Sequence, residues 1–292
     1  MTLKSLVSAV TVAGLATLAS APAQSQVLDN WQLDLNGAGI ASLTTGIGHL
    51  GLQSGTGTVV QEVNGAGNVF VGAKFTELGA IFNINYTPNN VVGPGDSGLP
   101  AALNGLSAAF TGVRFQFVGL AGTVTGLSAP GFDFAFTPGV GSILMQACTS
   151  AACATNVALA TLKIASSSGS LNNNVGAVGT AGDSTILSVI QTGAIANLFR
   201  NSAGVSLDPS IVAGKLLFNA VTHNTINTVS GQGACGFTPA VAGDQCITAT
   251  LTSDGPGDLL RVIPEPESLG LLGLGLLGMV AGLRRRKANL AA

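Results

Sequence analysis

The chain is expected to be mainly β, an antiparallel β-sandwich or jelly-roll-like domain, with a β-solenoid as the alternative. Three observations lead there. Short segments alternate apolar and polar residues with period two, the mark of a half-buried strand. Gly, Pro, Asn and Asp clusters separate them, with 41 Gly and 11 Pro in 292 residues. Helical periodicity is scarce, so strands must supply the layers. The solenoid ranks second because no repeat of fixed length is present.

Read from the N-terminus, Met1–Ala23 has one cation (Lys4), an apolar stretch from Leu6 to Leu18, and Ala21-Pro22-Ala23. This is a secretory signal peptide with cleavage after Ala23. The exported domain then covers residues 24–261. Trp31-Gln32-Leu33-Asp34-Leu35, Val113–Phe117 and Phe132–Phe136 alternate most clearly, and the last puts three Phe on one face. Ile81–Tyr86 and Leu159–Ile164 are looser cases. Val59–Val63, Asn68–Val71, Ser142–Ala147, Leu216–Val221, Ile247–Leu251 and Leu259–Ile263 are further strands. Turns are expected at Gly93–Asp96, Thr137-Pro138-Gly139, Asp208-Pro209 and Ser253–Gly257. Thr192–Arg200 reads as a short amphipathic helix.

Charge is sparse. Between Gln24 and Ile263 there are 6 Lys or Arg and 11 Asp or Glu, a net charge of −5. With no basic patch, nucleic acid is not an expected partner. The 47% hydrophobic content argues against disorder. The surface must be made polar by Ser, Thr, Asn, Gln and backbone, which suits a matrix or cell-surface protein.

Four cysteines fall in two local pairs. An even count in an exported chain argues for disulfides, Cys148–Cys153 and Cys235–Cys246. Zinc is the alternative, but neither spacing is Cys-x-x-Cys, and His49 and His223 lie far off in sequence.

The C-terminal segment 262–292 is the most specific. Val262-Ile263 precedes Pro264-Glu265-Pro266. The run Leu269–Leu283 contains only Leu, Gly, Met, Val and Ala, and Arg284-Arg285-Arg286-Lys287 follows. Fifteen helical residues span about 22 Å at roughly 1.5 Å per residue. That is short of a hydrocarbon core of about 30 Å, but the four cations can reach into the headgroups and extend the span. A transmembrane helix is therefore expected over residues 268–283, with the basic tail 284–287 in the cytoplasm. Pro264 and Pro266 keep the preceding chain extended and open to a processing enzyme. Together these residues resemble the PEP-CTERM sorting signal of Gram-negative bacteria. The resemblance implies export through the inner membrane, cleavage by an exosortase, and release to the cell surface or beyond. The rest of the chain is similar in layout to flocculation-associated PEP-CTERM proteins: an N-terminal aromatic strand, aromatic strands at Phe115–Gly126 and Phe132–Phe136, and a late Cys pair. That likeness implies a role in exopolysaccharide-associated biofilm or floc, without transferring any binding residue.

Catalytic patterns are weak. Gly95-Asp96-Ser97-Gly98 matches the nucleophile tetrapeptide of trypsin-like proteases, but His49 lacks their surrounding pattern, and Gly93–Asp96 reads better as a turn. Gly231–Gly236 fits G-x-G-x-x-G by letter, yet neither follows a clear strand nor opens a helix. His223 reads as a surface residue at a strand end. Asp254 and Asp258 are thin material for Ca²⁺, which wants six to eight oxygens. Trp31 and Tyr86 could stack on a sugar, although Trp31 alternates with Leu33 and Leu35 as a core residue does. The expectation is a non-enzymatic protein with no cofactor and no catalytic or metal residues. The rival is a secreted carbohydrate-binding or hydrolytic domain carrying the same tail.

Overall fold

Alternation translates into strands over most of the exported domain. The computed structural model describes residues 24–41, 43–81, 84–88, 112–128, 131–150, 153–172 and 178–263. The chain divides into two units, Met1–Gln26 with Val262–Ala292, and Val27–Arg261. Of the first unit only 24–26 and 262–263 are described. They are the outer ends of β1 (Gln24–Val27) and β13 (Gln245–Ile263). The signal peptide, Ala23, Pro264-Glu265-Pro266, the expected membrane helix and Arg284–Lys287 lie outside the described residues, as does the Gly93–Gly98 stretch with Ser97. Among the described residues no helix is long and apolar enough to cross a membrane.

The second unit is built from β2 (Trp31–Asp34), β3 (Leu43–Val63), β4 (Lys74–Ile81), β5 (Ile84–Pro88), β6 (Gly112–Ser128), β7 (Gly131–Phe136) and β8 (Ser142–Cys148). It continues with β9 (Asn156–Leu171), β10 (Ala181–Ile190), β11 (Phe199–Arg200), the short α-helix α1 (Asp208–Val212), β12 (Leu216–Val229) and most of β13, with a 3-10 turn at Asn36–Ala38 after β2. The pairings run in chain order and are all antiparallel: β3 with β4 and β5, β4 with β6, and β6 with β7 and β8. Both of these pair with β9. Then come β9 with β10, β10 with β12 and β12 with β13. β13 pairs in turn with β3, from Gln245↔Val63 to Gly257↔Leu50.

The last strand therefore meets β3, where this run of pairings begins, and the sheet closes into an up-and-down barrel. β4 and β5 share one strand position along β3, and β7 and β8 share another between β6 and β9, which makes eight positions around the barrel. The antiparallel, mainly β expectation holds. Two stacked sheets, as in a sandwich or jelly roll, are replaced by one sheet closed on itself. Antiparallel neighbours in chain order also exclude a solenoid of parallel coils.

The reason lies in strand length and bulging. β3 runs for 21 residues and β13 for 19. The Ser253–Gly257 cluster does not end β13. It forms a register shift between Ser253 and Gly255, where Gly255 has φ +149°. Similar shifts sit at Glu77/Gly79, Val124/Gly126 and Leu187/Ser188. Such bulges bend and twist long strands, and that curvature lets a sheet close.

Three other expectations change. Thr192–Arg200 is not a helix: Gly193 (φ +95°) and Asn197 (φ +60°) break it, and the Ile195 N–H donates to Leu159 O on β9. The helix lies at Asp208-Pro209, where Pro occupies the first turn. Asn68–Val71 is turn rather than strand, and Val69 packs into a small cluster with Val63, Val124, Phe132 and Ile247. Thr137–Gly139 forms its expected turn.

At the opposite end of the barrel, β2 pairs with β3 and β11 pairs with β2. Trp31 is 0% exposed, its ring centroid 6.0 Å from that of Phe199. Both pack on a ring of inward side chains: Leu50, Phe115, Met145, Leu162, Ile190, Phe218 and Leu259. Trp31 is a core residue.

Candidate functional site

Closing eight strand positions leaves an interior just wide enough for side chains or for one small ligand. Here both occur. The end below Trp31 is filled. Above the level of Phe115 and Phe218 a cavity of about 80 Å³ remains. At roughly 10–15 Å³ per water molecule, that is room for several waters or one small ring.

Alternation along each strand sets its lining. β7 turns Phe132, Phe134 and Phe136 inward, so the three-Phe face seen in the sequence is the cavity wall. Phe75 on β4 meets Phe134 and Phe136 edge to face, with centroids at 5.6 and 5.2 Å. Glycines on neighbouring strands make room for these rings. A Cβ on Gly122 would lie 2.3 Å from Phe75 Cζ, one on Gly169 2.3 Å from Phe134 Cζ, and one on Gly257 2.5 Å from Phe218 Cζ. Large beside small is how a small barrel fills its taper.

The facing wall is polar. Ser184 on β10 and Thr222 on β12 share a 2.7 Å hydrogen bond, and Asn224 Nδ2 donates to Ser184 Oγ at 3.3 Å. Ser253 Oγ on β13 donates to Asn224 Oδ1 at 2.5 Å. These groups satisfy one another. Two others do not. Ser188 is 1% exposed and its Oγ has no hydrogen-bond partner. Glu77 on β4 points into the same space with no partner among the described residues, and burial raises its carboxyl from 4.5 to about 7. Among the described residues lining the cavity it is the one titratable side chain. His49 and Glu62 on β3, Lys74 on β4 and Arg114 on β6 line none of it.

The sequence reading missed this site. Glu77 sits in Lys74-Phe75-Thr76-Glu77-Leu78, where the alternation is legible: Phe75 and Glu77 share a face. A carboxylate on an apolar face is the signal that could have found it.

The residues singled out from sequence are placed differently. Cys148–Cys153 and Cys235–Cys246 are disulfides, with Cα separations of 4.6 and 4.8 Å. His49 and His223 are not brought together. His49 pairs with Asp258 across β3–β13, and His223 with Asp183 across β12–β10, both on the outer wall. His223 is in mid-strand rather than at a strand end, because β12 is longer than expected. Asp254 lies opposite His223 in register, so Asp254 and Asp258 belong to a strand and not to a calcium loop. Gly231–Gly236 is irregular chain after β12 that opens no helix. Tyr86 lies on β5, paired with Leu50.

A carboxylate of another kind holds the second disulfide loop. Glu62 is 0% exposed and accepts backbone N–H bonds from Lys74 (2.8 Å), Ala240 (2.6 Å) and Val241 (3.1 Å).

The outer wall is polar at mid-strand, with Asp183, Thr185, His223, Thr225, Thr252 and Asp254 exposed. A barrel facing lipid needs an apolar band there. These mid-strand positions on β10, β12 and β13 are polar or charged, and the tail follows the barrel directly in sequence. A family model described as the PEP-CTERM protein-sorting motif matches residues 262–287. The chain carries that sorting motif and is an exported protein targeted to an exosortase at the membrane. No curated protein and no solved structure matches it.

Proposed function

We propose that the processed protein is a non-catalytic component of the cell surface or extracellular matrix that supports exopolysaccharide-associated biofilm or floc. The sorting motif at residues 262–287 carries this reading, since it directs the barrel outward. The barrel suits that destination. Two disulfides staple its loops, and its outer wall presents hydroxyl and amide groups with few charges. Such a surface can contact neutral polymer at many weak points. Each His side chain is paired with a separate aspartate on the outer wall, away from the cavity, which is poor material for an acid–base site. In this reading the tail spans the membrane only until cleavage.

The test is deletion of the gene followed by external addition of the exported domain. Loss of floc or biofilm on deletion, restored by the added domain, supports the role. Unchanged aggregation after deletion refutes it. Hydrolysis of a glycan or peptide that vanishes with His49→Ala, Ser97→Ala or His223→Ala would favour the enzyme reading instead.

A further inference from the structure

We propose that the barrel interior is a binding site for a small molecule with an apolar, ring-sized body and one hydrogen-bond donor, an amine or a hydroxyl, that meets Glu77. Three observations converge. The cavity exists, at about 80 Å³, and phenylalanines wall one side of it. The wall is arranged for that space, because Gly122 and Gly169 leave room for its rings: a Cβ at either would lie 2.3 Å from Phe75 Cζ or Phe134 Cζ. And two polar groups inside, Glu77 and Ser188, lack partners among the described residues while their neighbours are satisfied.

The second and third points separate this cavity from a packing defect. An empty apolar void stays dry and needs no polar group. Glu77 is half-buried, yet its carboxyl faces the interior without a partner among the described residues, and Leu or Gln at position 77 would avoid part of the cost of placing it there. Ser188 Oγ is buried in the same interior without a partner. Pockets that hold small ligands have this composition, mostly apolar and aromatic with a few convergent polar groups. The raised carboxyl fits as well, since a donor or ammonium group beside it would stabilise the ionised form and recover the cost. Aromatic faces beside the carboxyl favour an ammonium further. An anion is disfavoured, because no cation lines the cavity among the described residues. This inference does not rest on the matrix role and can stand if that role fails.

The experiment titrates the protein as exported, after removal of the signal peptide, with benzylamine, benzyl alcohol and toluene, which share a body and differ in the donor. Binding is read by calorimetry and by amide chemical shifts. Benzylamine is expected to bind at least roughly tenfold more tightly than toluene, with benzyl alcohol between, a ratio that corresponds to one charge-assisted contact. Shifts should appear at Val59, Ile186 and Ile226, which line the interior, and not at the outer-wall residues Thr185 and Thr225. Glu77→Gln should keep toluene binding and lose the tenfold preference. No saturable binding of any of the three overturns the site. Equal binding of amine and toluene, shifts confined to the outer wall, or a preference that survives Glu77→Gln overturns the role of the carboxyl. Should that variant fail to fold, the wild-type ratio and the shift map decide alone.

Discussion

At the scale of single residues, the barrel interior makes two demands that run against ordinary propensity. The first is a carboxyl among phenylalanines. Glu77 titrates at about 7 in the folded protein because burial disfavours its charge. In the unfolded chain it titrates near 4.5. Its contribution to stability is therefore fully present below about pH 4.5. It falls as pH rises toward 7, since the unfolded chain releases the proton first, and it levels off above 7. The shift is worth about 3 kcal/mol. Other carboxylates act in the opposite sense, so the informative quantity is a difference. The melting temperature of Glu77→Gln relative to wild type should rise between pH 5 and pH 8, and a pH-independent difference would show that Glu77 is not buried. The second demand is for absent side chains. Gly122 faces Phe75 Cζ and Ala135 O, each 2.3 Å from where a Cβ would be. Gly122→Ala should cost about 1–3 kcal/mol by overpacking. Adding Phe75→Leu should recover only part of it, because the backbone oxygen cannot move away. Chemical denaturation of the single and double variants measures both.

At the scale of elements, what was legible depended on whether the signal was local. Phe132-Asp133-Phe134-Ala135-Phe136 announces a strand and its buried face, and the cysteine spacings announce their loops. The tail is legible residue by residue. Bulges are not, because Ser253-Asp254-Gly255-Pro256-Gly257 has the composition of a turn whether it ends a strand or bends one. Pairing with both β12 and β3 decides in favour of the bend. The same holds for Thr192–Arg200, whose apolar spacing suits a helix until Gly193 and Asn197 take positive φ. Glu77 was hidden for a third reason: one charge on a strand reads as solvent-facing unless the sheet is known to close over it. Two loops share a device that was also overlooked. Asn64 Oδ1 accepts from the Ala66 and Asn68 amides, and Asn201 Oδ1 from those of Ala203 and Val205. In both, a Gly with positive φ follows three residues after the Asn. The disulfide loop after β12 depends on contacts from elsewhere as much as on its own bond. Glu62→Ala removes the acceptor for three backbone donors and should cost about 2–4 kcal/mol, with faster amide exchange at Ala240 and Val241. Replacing Cys235 and Cys246 by Ser should cost about 2–3 kcal/mol. If Glu62→Ala leaves exchange at those amides unchanged, the loop is held by its disulfide alone.

At the scale of the whole molecule, export and the proposed adhesion make separate demands. Replacing Glu265 and Pro266 by Ala should leave a larger species held in the membrane, and intact mass of the wild-type product should lack Leu269–Ala292. A product that still contains those residues would mean the motif is not processed. For adhesion, an outer wall of hydroxyls with few charges should bind neutral polymer with little dependence on ions, since screening acts on charge. Association with purified exopolysaccharide should change little up to about 0.5 M salt, and a steep loss would point to a charged partner.

The pairing of β13 with β3 has a consequence for how the protein is made. The hydrogen bonds from Gln245↔Val63 to Gly257↔Leu50 join the opening and closing stretches of the domain. Contacts so distant in sequence are slow to form, because a long loop must be organised before they repay its entropy. An exported chain emerges from its N-terminus, so β3 waits with one edge unpaired while the rest of the sheet assembles beside it. Its partner arrives last, and Pro264 follows directly on the final residue of that partner. In the proposed reading, where the tail holds the chain at the membrane until cleavage, the seam has time to shut and the edge of β3 is covered before release.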